Sequence, residues 1–140
     1  MAENKQRETA DWAWSESGDA EIPANDWERF LESFTKQHQG WIASVATVSE
    51  KRTSMQAIAC RVQRITSEAS QIRFSMECER GNRIEESVTK PVRLVFKRDE
   101  EGAHQGLDVV SSDRSVTMLR FRAPVRPEIL DGVLNPVRTK

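Results

Sequence analysis

At 140 residues and a formal charge of −1, the chain has room for one domain with tails. Its charge balance argues against a general polyanion binder. No apolar run is long enough to span a bilayer, and the opening MAENKQRETA holds no signal-like hydrophobic region, so a cytoplasmic protein without membrane association is expected.

The near-neutrality conceals an asymmetry. Residues 1–24 carry Glu3, Glu8, Asp11, Glu16, Asp19 and Glu21 against Lys5 and Arg7, a net −4, which leaves +3 on the remainder. This stretch is polar and without period, so 1–24 is read as an acidic, flexible tail. Trp12 and Trp14 interrupt it, and two tryptophans are poorly suited to free solvent. They are candidates for docking on the domain or on a partner, beside the plainer reading of incidental aromatics in a loose tail.

A single domain is expected over 25–134, with 135–140 as a C-terminal tail. It opens on a helix over about 25–39. Trp27, Phe30, Leu31 and Phe34 recur at i, i+3, i+4 and i+7, which places four large apolar groups on one face. Asn25 and Glu28 have the spacing of a capping box, and Gly40 offers a left-handed stop. His38, four residues after Phe34, can satisfy the last carbonyls of the helix. A binding or acid–base role for it is the alternative, although no Ser or Cys is obviously paired with it.

Strand patterns follow. Trp41–Ser49 reads as a largely buried strand. Met55–Ile65 places Ile58, Cys60 and Val62 on one face and Arg61 on the other. Gln71–Cys78 alternates with Ile72, Phe74, Met76 and Cys78 inward. Gly81 and Asn82 signal a hairpin turn, after which Arg83–Val88 makes a weaker strand. Pro91–Lys97 puts Val92, Leu94 and Phe96 inward, Leu107 and Val109 mark another strand, and Ser115–Arg122 puts Thr117, Leu119 and Phe121 on one face. Pro127, Ile129, Leu130 and Gly132 suggest a short helical turn at about 127–131. The expected class is α+β: the helix packed on a curved antiparallel sheet, or plugging a half-open barrel, of about six strands.

Residues 26–41 (DWERFLESFTKQHQGW) and 106–134 (GLDVVSSDRSVTMLRFRAPVRPEILDGVL) resemble a family of small bacterial proteins known as domain-of-unknown-function family 5335. Its members pair a Trp/Phe-rich helix ending near His-x-Gly-Trp with a Leu-Arg-Phe-Arg strand and a Pro-Glu-Ile-Leu-Asp-Gly-like tail. The corresponding positions are His38, Gly40 and Trp41, then Leu119–Arg122, then Pro127–Gly132. The resemblance implies a shared fold and a bacterial origin but no activity, and residues 50–90 depart from it.

Chemistry-bearing groups are sparse. Cys60 and Cys78 sit among apolar neighbours and are expected to be buried, reduced thiols in the cytosol. With only His38 and His104 as further soft ligands, no metal site is expected, and no cofactor motif is present. His104 is read as an exposed loop residue. Glu85 and Glu86 are adjacent in a strand and so face opposite ways, which makes them a poor acid–base pair. Arg61, Arg73, Arg93 and Arg120 point outward and could form a basic sheet face, unless cross-strand acids pair with them. No catalytic residue emerges. The reading favours a non-catalytic interaction or accessory module whose partner is another protein, contacted through Arg61, Arg73, Arg93, Arg120, Trp12, Trp14 and His38. Its alternative is a nucleic-acid or anionic-ligand binder using the arginine face.

Overall fold

The computed structural model describes residues 18–125, with side chains through 122. Trp12, Trp14 and the helical turn expected at 127–131 lie outside the described residues. Within them the chain forms β1 (Ala20–Glu21), α1 (Trp27–His38), β2 (Ile42–Val48), β3 (Thr53–Glu68), β4 (Gln71–Glu77), β5 (Arg83–Thr89), β6 (Pro91–Arg98), β7 (His104–Ser111) and β8 (Val116–Val125). The eight strands make one antiparallel sheet in the order β1-β6-β7-β8-β2-β3-β4-β5.

This corrects the expected class. The described chain is mainly β, with eight strands rather than about six, and its sheet does not close. The additional strand β1 has only two residues and falls in the acidic stretch, where no alternation marks it. Its register on Phe96 and Val95 comes from a distant partner. The helix also starts later than its spacing suggests. Ala24–Asp26 form a single 3-10 turn, Asp26 is the N-cap, and no side chain caps it, so the Asn25–Glu28 box is not made.

The helix does not simply lie over a sheet face. Strand β3 is long enough to serve two neighbours: Thr53–Arg61 pairs with β2 and Arg61–Glu68 with β4. Because β2 begins only at Ile42, the far half of β3 has no strand on that side. The end of α1 occupies the vacancy. Thr35 Oγ1 accepts from the Ile65 amide at 3.0 Å and donates to the Ile65 carbonyl at 3.1 Å. Gln39 Nε2 donates to the Gln63 carbonyl, the Gly40 amide donates to the Val62 carbonyl, and the Val62 amide donates to the Trp41 carbonyl. Backbone groups of Val62, Gln63 and Ile65 that no strand covers are thus satisfied by the helix end and the residues just after it.

The inner face of α1 then enters the core. Phe30 and Phe34 are fully buried and meet Phe96 of β6 with ring centroids at 5.5 and 5.8 Å. Phe34 also stacks on Phe121 of β8 at 5.9 Å. One buried cluster runs from Ile22 through α1 to Ile72, Phe74, Leu94, Leu107 and Leu119.

The sheet folds over at one corner. Strand β5 is one edge and β6 lies one strand in from the other, yet Lys90 alone separates them. With consecutive Cα atoms 3.8 Å apart, the two halves must meet there. The Lys90 amide donates to the Ser70 carbonyl and the Lys90 carbonyl accepts from the Ser112 amide at 3.0 Å. Away from this corner β5 and β6 are not paired.

One turn differs from its sequence signal. The link between β4 and β5 takes its left-handed residues at Arg80 and Gly81, with the Cys78 amide donating to the Asn82 carbonyl across its base. At Asp113-Arg114 the left-handed position is Arg114, and the Asp113 carboxylate accepts from the amide and hydroxyl of Ser115.

Candidate functional site

Strand alternation and two register shifts between β2 and β3 decide what the outer sheet face presents. Val48, Ala46 and Ser44 of β2 point outward while Val45 and Ala43 are buried. In register with them stand Val116, Met118 and Arg120 on β8, then Val110, Asp108 and Gly106 on β7. On the other side Met55 faces Ala46, one register shift follows between Met55 and Ala57, and then comes a bulge in which Ala59 takes φ 55° and donates its amide to Ser44 Oγ. That bulge turns Ile58 outward, against the expectation that it shares a face with Cys60 and Val62. Ile58 is 67% exposed and Met55 is 52% exposed, whereas Cys60 and Val62 are buried.

The result is a continuous apolar stripe over four strands. One row is Val110, Val116 and Val48, the next Met118, Ala46 and Met55, and Ile58 stands at its end. Exposed large side chains gathered in one patch distinguish a contact surface from scattered surface apolars. The stripe was missed because Ile58 and Met55 have opposite sequence parity. The register shift between Met55 and Ala57 brings them to one side.

The four arginines of the basic-face reading are placed apart. Arg61 lies opposite Glu77 on β4, whose other neighbour is Arg83. Arg73 sits between Thr66 and Ser87, one row from Glu85. In the other half of the sheet, Arg93 pairs with Glu21 at 3.2 Å. Arg120 reaches Asp108 Oδ1 at 2.8 Å and donates to the carbonyls of Leu107 and Leu119. The Asp108 contact lies off the N–H directions, so it is an ion pair without a hydrogen bond at that oxygen. A shallow cleft of about 330 Å³ gathers Arg64, Arg73 and Arg83, but Glu68 and Glu85 line it too. Charge of both signs alternates across this half of the sheet.

His38 and His104 are both fully buried, which corrects the reading of His104 as exposed. His38 Nδ1 is 2.7 Å from the Phe34 carbonyl, and its Nε2 is 2.8 Å from His104 Nδ1. A carbonyl only accepts, so Nδ1 of His38 carries hydrogen. In the neutral ring Nε2 is then the acceptor and His104 Nδ1 the donor. Phe34, Trp41, Phe96 and Phe121 enclose the pair at centroid distances of 4.2 to 5.1 Å. The larger cleft, about 480 Å³ between α1 and Gln63–Glu68, is lined by neither histidine. This pair joins the helix end to β7 and offers no surface to a substrate.

Cys60 and Cys78 form a disulfide, contrary to the expectation of reduced thiols. Constant register from Arg61↔Glu77 carries Cys60 directly opposite Cys78, with Cα atoms 4.4 Å apart. That is the spacing of a close antiparallel pair, and it lets the two sulfurs meet. Sequence alternation alone placed both inward but could not reveal that they face each other. Among the described residues no group of three or more His, Cys, Asp or Glu could hold a metal ion, and no helix is long and apolar enough to cross a membrane. No family model, no curated protein and no solved structure matches this chain.

Proposed function

We propose that this protein is an interaction module that binds another protein through the outer face of its sheet, and that the exposed stripe around Met55 and Ile58 is the contact. The observation that carries this reading is the bulge at Ala59. It commits a β-branched apolar side chain to solvent, beside a methionine and above a row of valines. A surface of this kind suits an apolar ridge on a partner, with the Asp108–Arg120 and Arg93–Glu21 pairs at its rim. The anion-binding reading has less support, because its arginines are interleaved with acids.

The test is site-specific photo-crosslinking in the native host, with the crosslinking residue at Ile58 or at the exposed helix position Glu32. Discrete adducts from Ile58, lost on Met55→Glu and absent from Glu32, support the stripe. Equal adducts from both positions would refute it.

A further inference from the structure

The two edges of the sheet are treated differently. At one, β6 is shielded by β1 and by the Ile22 amide, which donates to the Leu94 carbonyl. The other edge is β5, seven residues with neither proline nor lysine, and among the described residues no strand or helix is hydrogen-bonded to its far side. Which of its backbone groups face outward follows from the register. The β4–β5 pairing has no shift from Gln71↔Thr89 to Glu77↔Arg83. It is bracketed by the Cys78-to-Asn82 bond at one end and the Lys90-to-Ser70 bond at the other. Hydrogen-bonded pairs alternate along an antiparallel ladder. Ile84, Glu86 and Val88 therefore bond inward to β4, and Arg83, Glu85, Ser87 and Thr89 direct their amides and carbonyls to the open side.

Side chains divide the same way. Ile84, Glu86 and Val88 lie on the inner face, opposite Met76, Phe74 and Ile72. Glu86 is thus a carboxylate between two apolar residues, half-buried, with no ion-pair partner among the described residues. Burial pushes its pKa up, as expected of an acid that lacks a cation.

This arrangement also discriminates between occupants. Two copies of β5 pairing antiparallel with all four outward residues engaged must set Arg83 against Thr89 and Glu85 against Ser87. The symmetry axis then falls on Glu86, and each Glu86 opposes its own copy. Like charges directly opposite on a partly buried face disfavour that pairing. A strand with a cation at the same place removes the penalty instead.

We propose that the β5 edge is a second binding site, which accepts an extended segment of a partner protein as a ninth strand. The segment carries a lysine or arginine opposite Glu86 and apolar residues two positions to either side, facing Ile84 and Val88. Main-chain bonds to Arg83, Glu85, Ser87 and Thr89 supply the attachment, and the alternate side chains supply the selectivity. This site is separate from the Met55–Ile58 stripe and does not depend on it.

The test uses the full chain, isotope-labelled, titrated with the peptide acetyl-TVTKTVT-amide and with acetyl-TVTETVT-amide while amide resonances are followed. Expected are shifts concentrated at Arg83, Glu85, Ser87 and Thr89, with the lysine peptide binding several-fold more tightly. Ser87→Pro removes one outward amide and no inward bond, so it should abolish the response with the core spectrum unchanged. If that variant does not fold, Glu86→Gln serves: it should erase the difference between the two peptides. No shift with either peptide at millimolar concentration, equal binding of both, or shifts centred elsewhere would overturn the proposal. So would concentration-dependent self-association that protects residues 83–89.

Discussion

Thr35 stands where a strand would otherwise run beside Ile65, its one hydroxyl serving both the amide and the carbonyl of that residue. The contact links α1 to the far half of β3, thirty residues away in the chain. Replacing the hydroxyl by a methyl of similar size leaves two backbone groups unsatisfied at a partly buried site. Thr35→Val is expected to lower stability by about 1–3 kcal/mol, and Thr35→Ser to retain most of it. Urea unfolding of the two variants beside the parent measures the difference.

Gly106 is held to glycine by a different constraint. A Cβ there would stand 1.8 Å from the carbonyl oxygen of Leu119, at φ 148°. Strands β7 and β8 must separate to admit it, so Gly106→Ala should destabilise by about 3 kcal/mol or more. Gly40 has φ 88° but open space around its missing side chain. Gly40→Ala should therefore show only the left-handed penalty of about 1–2 kcal/mol. Thermal melts that rank the two the other way would contradict this account.

The buried histidines predict a spectroscopic signature. With His38 Nδ1 bound to the Phe34 carbonyl and Nε2 to His104, both rings should carry their hydrogen on Nδ1 in the neutral form. Long-range nitrogen–proton correlation spectra report this directly. His38→Leu leaves the Phe34 carbonyl and His104 Nδ1 without that partner and should lose about 2–4 kcal/mol. His104→Leu should add less than its own cost to the His38 variant, because the two share one bond.

What was legible in the chain, and what was not, follows the range of the forces involved. The helix face Phe30, Leu31 and Phe34 and the alternation of Ile72, Phe74 and Met76 are local periodicities, and each of these residues is buried. Ile58 was misplaced because a bulge changes parity without any marker such as glycine, Ala59 itself holding the positive φ. The eighth strand escaped because β1 has no pattern of its own. With β1 added to the seven strand patterns that alternation marks, the count reaches eight, and so much strand beside one short helix makes the described chain mainly β. The Arg120–Asp108 and Arg93–Glu21 pairs join residues 12 and 72 positions apart. Only the register reveals such partners.

Cys60 and Cys78 offer a chemical check. The bridge spans a separation of 18 residues, and a loop of that size lost from the unfolded chain corresponds to about 3 kcal/mol. Incubation with a phosphine reductant should lower the urea midpoint accordingly, and alkylation should then label both thiols. Labelling of the untreated, unfolded protein would show instead that the cysteines are reduced.

Stability should depend on pH through two carboxylates with opposite signs. Burial raises the pKa of Glu86 above its ordinary 4.5, so the folded state binds that proton more readily than the unfolded chain. The charged form therefore weakens the fold at neutral pH, and the penalty fades as pH falls through the raised value, vanishing below about 4.5. At Asp113 the Ser115 hydroxyl, then its amide, hold the carboxyl below 3.8. Its contribution is present above pH 3.8 and is lost as pH falls through the lowered value. Glu86→Gln should thus be more stable than the parent at pH 7 and indistinguishable from it near pH 4. Asp113→Asn should be less stable at pH 7, with the difference closing only in stronger acid. Urea unfolding at intervals from pH 2.5 to 7 would separate the two, and a Glu86→Gln advantage that persists at pH 3 would rule out burial of the charge as its cause.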